Sequence, residues 1–267
     1  MTTETIEAPV LSAREGAVLT LTLNRPGRLN ALDWSLLDSL LGKLRAAARD
    51  RATRVVVITG AGRAFCAGGD LRAMLEASPS GAGTSVYDLA SRFHLCVQEI
   101  RWMEKPVIAA VNGVAAGGGF SLALACDLRV MAASATLQQS YTTAGLVLDG
   151  GSSFMLPRLV GLARALELAM LDEPVSSEKA ARLGLATTVV PDEQLAAAAA
   201  ALASRVAGRA VGAMARVKRL LNEAFERGLD AQLEAERHAI TAAADSAEGR
   251  EGVNAFLEKR EPRFPAL

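Results

Sequence analysis

Two glycine-rich stretches hold the backbone best suited to chemistry. Gly117-Gly118-Gly119 stands between an apolar run, Val107–Val111, and the run Leu122-Ala123-Leu124-Ala125-Cys126. The first run follows Pro106 and reads as a buried strand, the second as a helix. Successive glycines cost backbone entropy. One such loop is explained by a tight strand-to-helix turn. It also lets a ligand approach bare backbone at a helix start, where N–H groups lack intrahelical partners and the dipole is positive. A second apolar run, Val55 to Thr59, leads into Phe65-Cys66-Ala67-Gly68-Gly69-Asp70-Leu71. Two strand-then-glycine loops can present two N–H groups to one oxygen. That is an oxyanion hole, worth about 3–4 kcal/mol per donor.

An oxyanion hole stabilises charge but moves no proton, so a base or nucleophile is needed as well. Asp149, in Leu146-Val147-Leu148-Asp149-Gly150-Gly151, is one candidate. Read alone it is a turn or helix-capping residue, because Asp-Gly is a common turn. His94 is the other candidate, and read alone it is a helix histidine facing a pocket wall or solvent. The second histidine, His238, lies in a charged helical stretch and reads as exposed.

The elements that must position these groups follow from periodicity. Val18-Leu19-Thr20-Leu21-Thr22-Leu23 alternates apolar and Thr as a half-buried strand. Asp33 caps a helix to about Arg49, with Leu36, Leu37, Leu40, Leu41 and Leu44 on one face. Ser78 to Ser85 is a loop beside the first glycine stretch, either plain surface or a substrate-covering flap. A helix from about Val86 to Met103 carries His94, and residues 127–131 form a further strand. The alternation is α/β. From Ser152 the chain reads as almost wholly helical apart from residues 187–190, with helices near 192–207, 209–226 and 229–246. Trp34 and Trp102 are assigned to core or interface space.

The 267 residues suffice for a full core, and 29 basic against 29 acidic side chains leave no electrostatic footprint for nucleic acid. Three cysteines without metal-like spacing read as buried free thiols, which fits a reducing cytoplasm. The polar, acidic start lacks the order of a signal peptide, and no apolar run reaches membrane-spanning length. The expectation is a cytoplasmic protein with no membrane, metal or nucleic-acid partner.

The motifs F-C-A-G-G-D-L and N-G-V-A-A-G-G-G, in that order, resemble the crotonase (enoyl-CoA hydratase/isomerase) superfamily. The resemblance runs from Leu23-Asn24-Arg25-Pro26 to Phe256-Leu257-Glu258-Lys259-Arg260. It implies an α/β fold in which residues 1–200 form a spiral of ββα units that binds a CoA thioester. Residues 201–267 would form a helical trimerisation region, the trimers pairing into hexamers. The implied substrate is an acyl-CoA thioester, with no cofactor beyond the coenzyme A the substrate carries. Gly69 and Gly118 would supply the oxyanion N–H groups. Arg25, Arg28 and Ala31 would border the adenine and phosphates, while Ala67 and Gly69, Asp70, Leu71 and Arg72 would line the pantetheine. Phe256 and Lys259 would reach a neighbouring subunit's CoA, or simply belong to an amphipathic terminal helix.

At two positions the chain departs from the family's hydratases. Their two catalytic glutamates are replaced by Ser121 and Tyr141. Asp149 stands where the resemblance places the catalytic Asp of ring-1,2-epoxyphenylacetyl-CoA isomerases and dienoyl-CoA isomerases. The first group also resembles this chain in the G-S-S-F-M-L-P-R-L-V-G that follows. The 4-chlorobenzoyl-CoA dehalogenases offer a rival. Their nucleophilic Asp aligns with Asp149, an aromatic with Tyr141, and a water-activating His with His94, twelve residues before Pro106. Gly69-Asp70 is the common family pattern and not theirs. The expectation is an isomerase in which Asp149 shuttles a proton. The alternatives are that hydrolase, a weak hydratase, and a non-catalytic CoA- or RNA-binding paralogue.

Overall fold

The computed structural model describes residues 8–77 and 83–264. The chain begins with β1 (Val10–Glu15) and β2 (Val18–Leu23), followed by α1 (Trp34–Arg49). Asp33 accepts a hydrogen bond from the Leu36 N–H at 2.8 Å and so starts α1. Its five leucines at helical spacing are all buried. Next come β3 (Val55–Gly60), β4 (Ala64–Cys66), α2 (Leu71–Ala77) and α3 (Gly83–Trp102). The proposed flap covers residues 78–85; 78–82 lie outside the described residues, and 83–85 are the first turn of α3.

The pattern then repeats. β5 (Val107–Val111) and β6 (Val114–Ala116) lead into α4 (Gly118–Ala125), and β7 (Leu128–Ala132) and β8 (Thr136–Gln138) into α5 (Ser152–Val160). In each turn the longer strand joins one sheet and the three-residue strand another. The six-stranded sheet has the order β1-β2-β3-β5-β7-β10 and the four-stranded sheet β4-β6-β8-β9, with β9 (Val175–Ser176) and β10 (Thr188–Val190) at their edges. All pairs are parallel except β1–β2 and β8–β9. This is the ββα spiral. The central strands are buried apolar runs because both faces are covered.

The rest is helical: α6 (Leu162–Leu171), α7 (Ser177–Arg182), α8 (Leu195–Ala207), α9 (Val211–Glu223), α10 (Leu229–Ala244) and α11 (Ala247–Leu257). Position 200/201 lies inside α8, which packs across β2, β3, β5 and β7. Two ion pairs, one partly and one fully buried, tie the later helices to the core. Lys218 on α9 meets Asp127 at 2.8 Å, and Glu248 on α11 meets Arg54 at 3.3 Å. Among the described residues no single helix is long and apolar enough to cross a membrane. One bent pair passes that test by composition, residues 192–207 with 211–223 at 99°; its first member is α8 with the turn before it. Trp34 packs partly buried against the core, whereas Trp102 is exposed and fills no core space. Cys66, Cys96 and Cys126 are buried free thiols, each pushed up to about 12 chiefly by desolvation.

Candidate active site

The parallel pairing of β4 with β6, Cys66 opposite Ala115, sets the two glycine loops side by side. Each glycine has its own reason to be there. Gly117 holds φ +51° and ψ −121° as the N-cap of α4, a conformation side chains resist. At Gly119 a Cβ would lie 2.0 Å from the Cys66 carbonyl oxygen, so the helix start can approach β4 only without one. Gly118 is the first residue of α4, and a Cβ there would stand 3.7 Å from the Gly69 nitrogen. Neither the Gly69 nor the Gly118 N–H has a hydrogen-bond partner among the described residues.

Two side-chain amides, Asn30 buried and Asn112 half-buried, hold this geometry. Asn30, at φ +57°, donates to the carbonyls of Ala61 (2.9 Å) and Ala64 (2.8 Å) and accepts from the Arg25 N–H at 2.9 Å. Asn112 donates to Gly62 O at 2.9 Å and accepts from Gly60 N–H at 3.1 Å. Arg25 pairs with Asp33 at 3.0 Å and Asp70 at 3.2 Å and donates to the Ala31 carbonyl at 2.5 Å. It is a clasp on the first loop. Asp70 in turn accepts from the Ala73 N–H at 3.2 Å and starts α2.

The loops open on a cavity of about 460 Å³, lined by Ala67, Gly69, Leu71, Gly118, Tyr141 and Asp149 together with apolar side chains. Its walls come from α1, α2, α3 and the segment 144–148. Asp149 is the one carboxylate in that lining. His94 projects from α3 and places Nε2 2.5 Å from Asp149 Oδ1, yet it is not part of the cavity wall, and its side chain is 51% exposed. Two larger hollows, of about 970 and 730 Å³, lie along α9 and contain neither glycine pair nor Asp149. The chemistry selects the smaller one.

Ser121 and Tyr141 are buried behind Asp149. Their hydroxyls lie 3.0 Å apart, and Ser121 donates to the Asp149 carbonyl at 2.8 Å. Burial, reinforced by the nearby Asp149 charge, pushes the Tyr141 phenol above its ordinary value, although the Ser121 hydrogen bond acts the other way. Tyr141 is therefore a neutral hydroxyl and no base.

Of the other residues singled out from sequence, Ala31 meets Arg25 through its carbonyl, while Arg28 and Arg72 are exposed and without ion pairs among the described residues. Phe256 and Lys259 are exposed at the end of α11 and do not line the cavity. His238 is exposed and pairs with Glu234 at 3.1 Å. Sequence reasoning passed over Asn30 as an organiser and Asp172 altogether. Asp172 is buried and receives the N–H groups of Ser140 (2.7 Å) and Thr143 (3.0 Å), fixing the turn that carries Tyr141. Both residues have positive φ, which sequence alone does not reveal. Among the described residues no group of three or more His, Cys, Asp or Glu side chains is placed to hold a metal ion.

A family model described as enoyl-CoA hydratase/isomerase matches residues 13–266. The chain belongs to the enoyl-CoA hydratase/isomerase family. Within it, the chain is 41% identical to a 1,2-epoxyphenylacetyl-CoA isomerase of Escherichia coli K12, over 96% of this chain and 97% of that protein. It is 36% identical to a 2,3-dehydroadipyl-CoA hydratase of the same organism, over 96% and 98%. The solved structure of an enoyl-CoA hydratase from Polaromonas sp. JS666 superposes with a TM-score of 0.91 at 40% identity, covering 96% of this chain and 99% of that one. The family's relatives thus carry both isomerase and hydratase names.

Proposed function

We propose that this family member is an acyl-CoA isomerase. The observation that carries the reading is the cavity's make-up: two unbonded loop amides, at Gly69 and Gly118, and one carboxylate, Asp149. A thioester oxygen between the two N–H groups would acidify the α-carbon by stabilising the enolate. Asp149 takes the α-proton and returns it elsewhere, moving a double bond or opening an epoxide. The walls, with Leu71, Met74, Val86, Tyr87 and Phe93, suit an apolar acyl group. Arg28 and Arg72 are free to meet CoA phosphates, and the Leu32–Gly69 bridge brings their segments together.

A panel of CoA thioesters tests this. Isomerisation of a 3-enoyl-CoA or an epoxide should exceed hydration of any 2-enoyl-CoA, and the reverse order would sink the reading. A second reading, hydrolysis with Asp149 as nucleophile and His94 as base, draws support from their 2.5 Å contact. His94 lies outside the cavity wall, however, which sets it away from a water attacking there. The assembly we propose is a trimer or hexamer built on α9–α11, where Leu221, Phe225, Leu229 and Phe256 are exposed. Light scattering should give three or six chains, and a monomer at micromolar concentration would contradict it.

A further inference from the structure

Asp149 faces two environments. One side of it lines the apolar cavity; the other meets His94, whose ring stands half in water on the outer side of α3. Phe93, the residue before His94, turns inward and is 3% exposed, so the helix divides the two settings. The rest of the cavity wall offers phenols but no further carboxylate, imidazole or amine. An acyl group in the cavity covers the carboxylate on that side and leaves the His94 side wet.

We infer that His94 is a proton relay between Asp149 and solvent; the inference rests on the isomerase reading above. Asp149 takes the substrate's α-proton, and the C–H electron pair becomes the enolate. The new carboxylic acid passes its proton from Oδ1 to His94 Nε2. The imidazolium then turns its half-exposed ring toward solvent and releases that same Nε2 proton to water. A solvent proton returns by the same steps, re-forms the acid and is delivered to carbon. Every charge returns to its starting value and no co-reactant is consumed. His94 touches Asp149 and water and not the substrate, so it is a positioning residue with a carrying task. Turnover needs Asp149 alone, whereas exchange with solvent needs His94.

The test is a single turnover in D₂O with the 3-enoyl-CoA isomerised fastest in the panel. Mass spectrometry gives the share of product carrying solvent deuterium instead of the substrate's own hydrogen. Wild type should carry mainly deuterium. His94→Gln keeps a side chain able to donate to Asp149 but cannot relay, so turnover should stay within about threefold while the deuterium share falls by about threefold or more. A merely structural role would not move that share. An unchanged share in a folded, active His94→Gln overturns the relay. So does a folded His94→Gln without turnover, since that places His94 in the chemistry itself. Full activity in Asp149→Asn is a different failure, because it removes the isomerase reading on which the relay rests.

Discussion

The Ser121 hydroxyl donates to the backbone carbonyl of Asp149 at 2.8 Å. Ser121, in the helix opened by the second glycine loop, thus holds in place the loop of the cavity's carboxylate. Ser121 is fully buried, and a Cβ on Gly150 would meet its Cβ at 2.9 Å, so the two segments are in direct contact.

Ser121→Ala takes a partner from the buried Tyr141 hydroxyl and one of the donors from the Asp149 carbonyl, which keeps those of Ser152. It should cost about 1–3 kcal/mol of stability and lower kcat about tenfold through a loosened Asp149, with KM little changed. Thermal unfolding and steady-state kinetics check this together. A wild-type kcat in a destabilised protein would separate the fold from the chemistry.

Hydration of crotonyl-CoA should be slow. Neither Ser121 nor the neutral, buried Tyr141 can act as a base. The kcat/KM should fall orders of magnitude below the range of about 10⁴–10⁸ M⁻¹s⁻¹ of efficient enzymes. A value inside that range would mean that the acid and base lie elsewhere.

Gly118→Pro removes one proposed oxyanion donor at the first residue of α4, where proline suits the helix and the Leu32 side chain, 2.7 Å from the added Cβ, must turn aside. Turnover should fall by about 10²–10³ while circular dichroism stays that of the wild type. A folded variant with full activity would refute the assignment of that N–H.

What the sequence made legible was whatever repeats locally. The apolar runs of β3 and β5, the leucine spacing of α1 and the Asp33 cap are written in neighbouring residues, and each appears in the fold within a residue or two. The strands β4, β6 and β8 have three residues each and no period to read; they exist because their partners do. β1 was missed because its exposed edge face carries no alternation. The two glycine loops were legible as a pair only through their motifs. Their coupling through Asn112 spans up to fifty-two residues and has no sequence signature. The cavity takes Met74 from α2, Val86 and Tyr87 from α3, and Leu146 to Leu148 from the loop before Asp149, and no motif marks any of them. Asp149 and His94 were singled out separately, fifty-five residues apart. That one faces the cavity and the other the water is a property of where α3 crosses the loop.

The central claim is that Asp149 moves a proton and forms no bond to substrate carbon. A nucleophilic Asp149 would form an ester that water opens, leaving solvent oxygen in the carboxylate. A shuttling Asp149 keeps its own oxygens and exchanges the substrate's α-proton with solvent. The deciding measurement is a single turnover in water carrying both ¹⁸O and deuterium, followed by mass spectrometry of the product and of the peptide containing Asp149. The account predicts deuterium in the product at the carbon that receives the proton and no ¹⁸O in the peptide; ¹⁸O in that peptide would contradict it and make the protein a hydrolase.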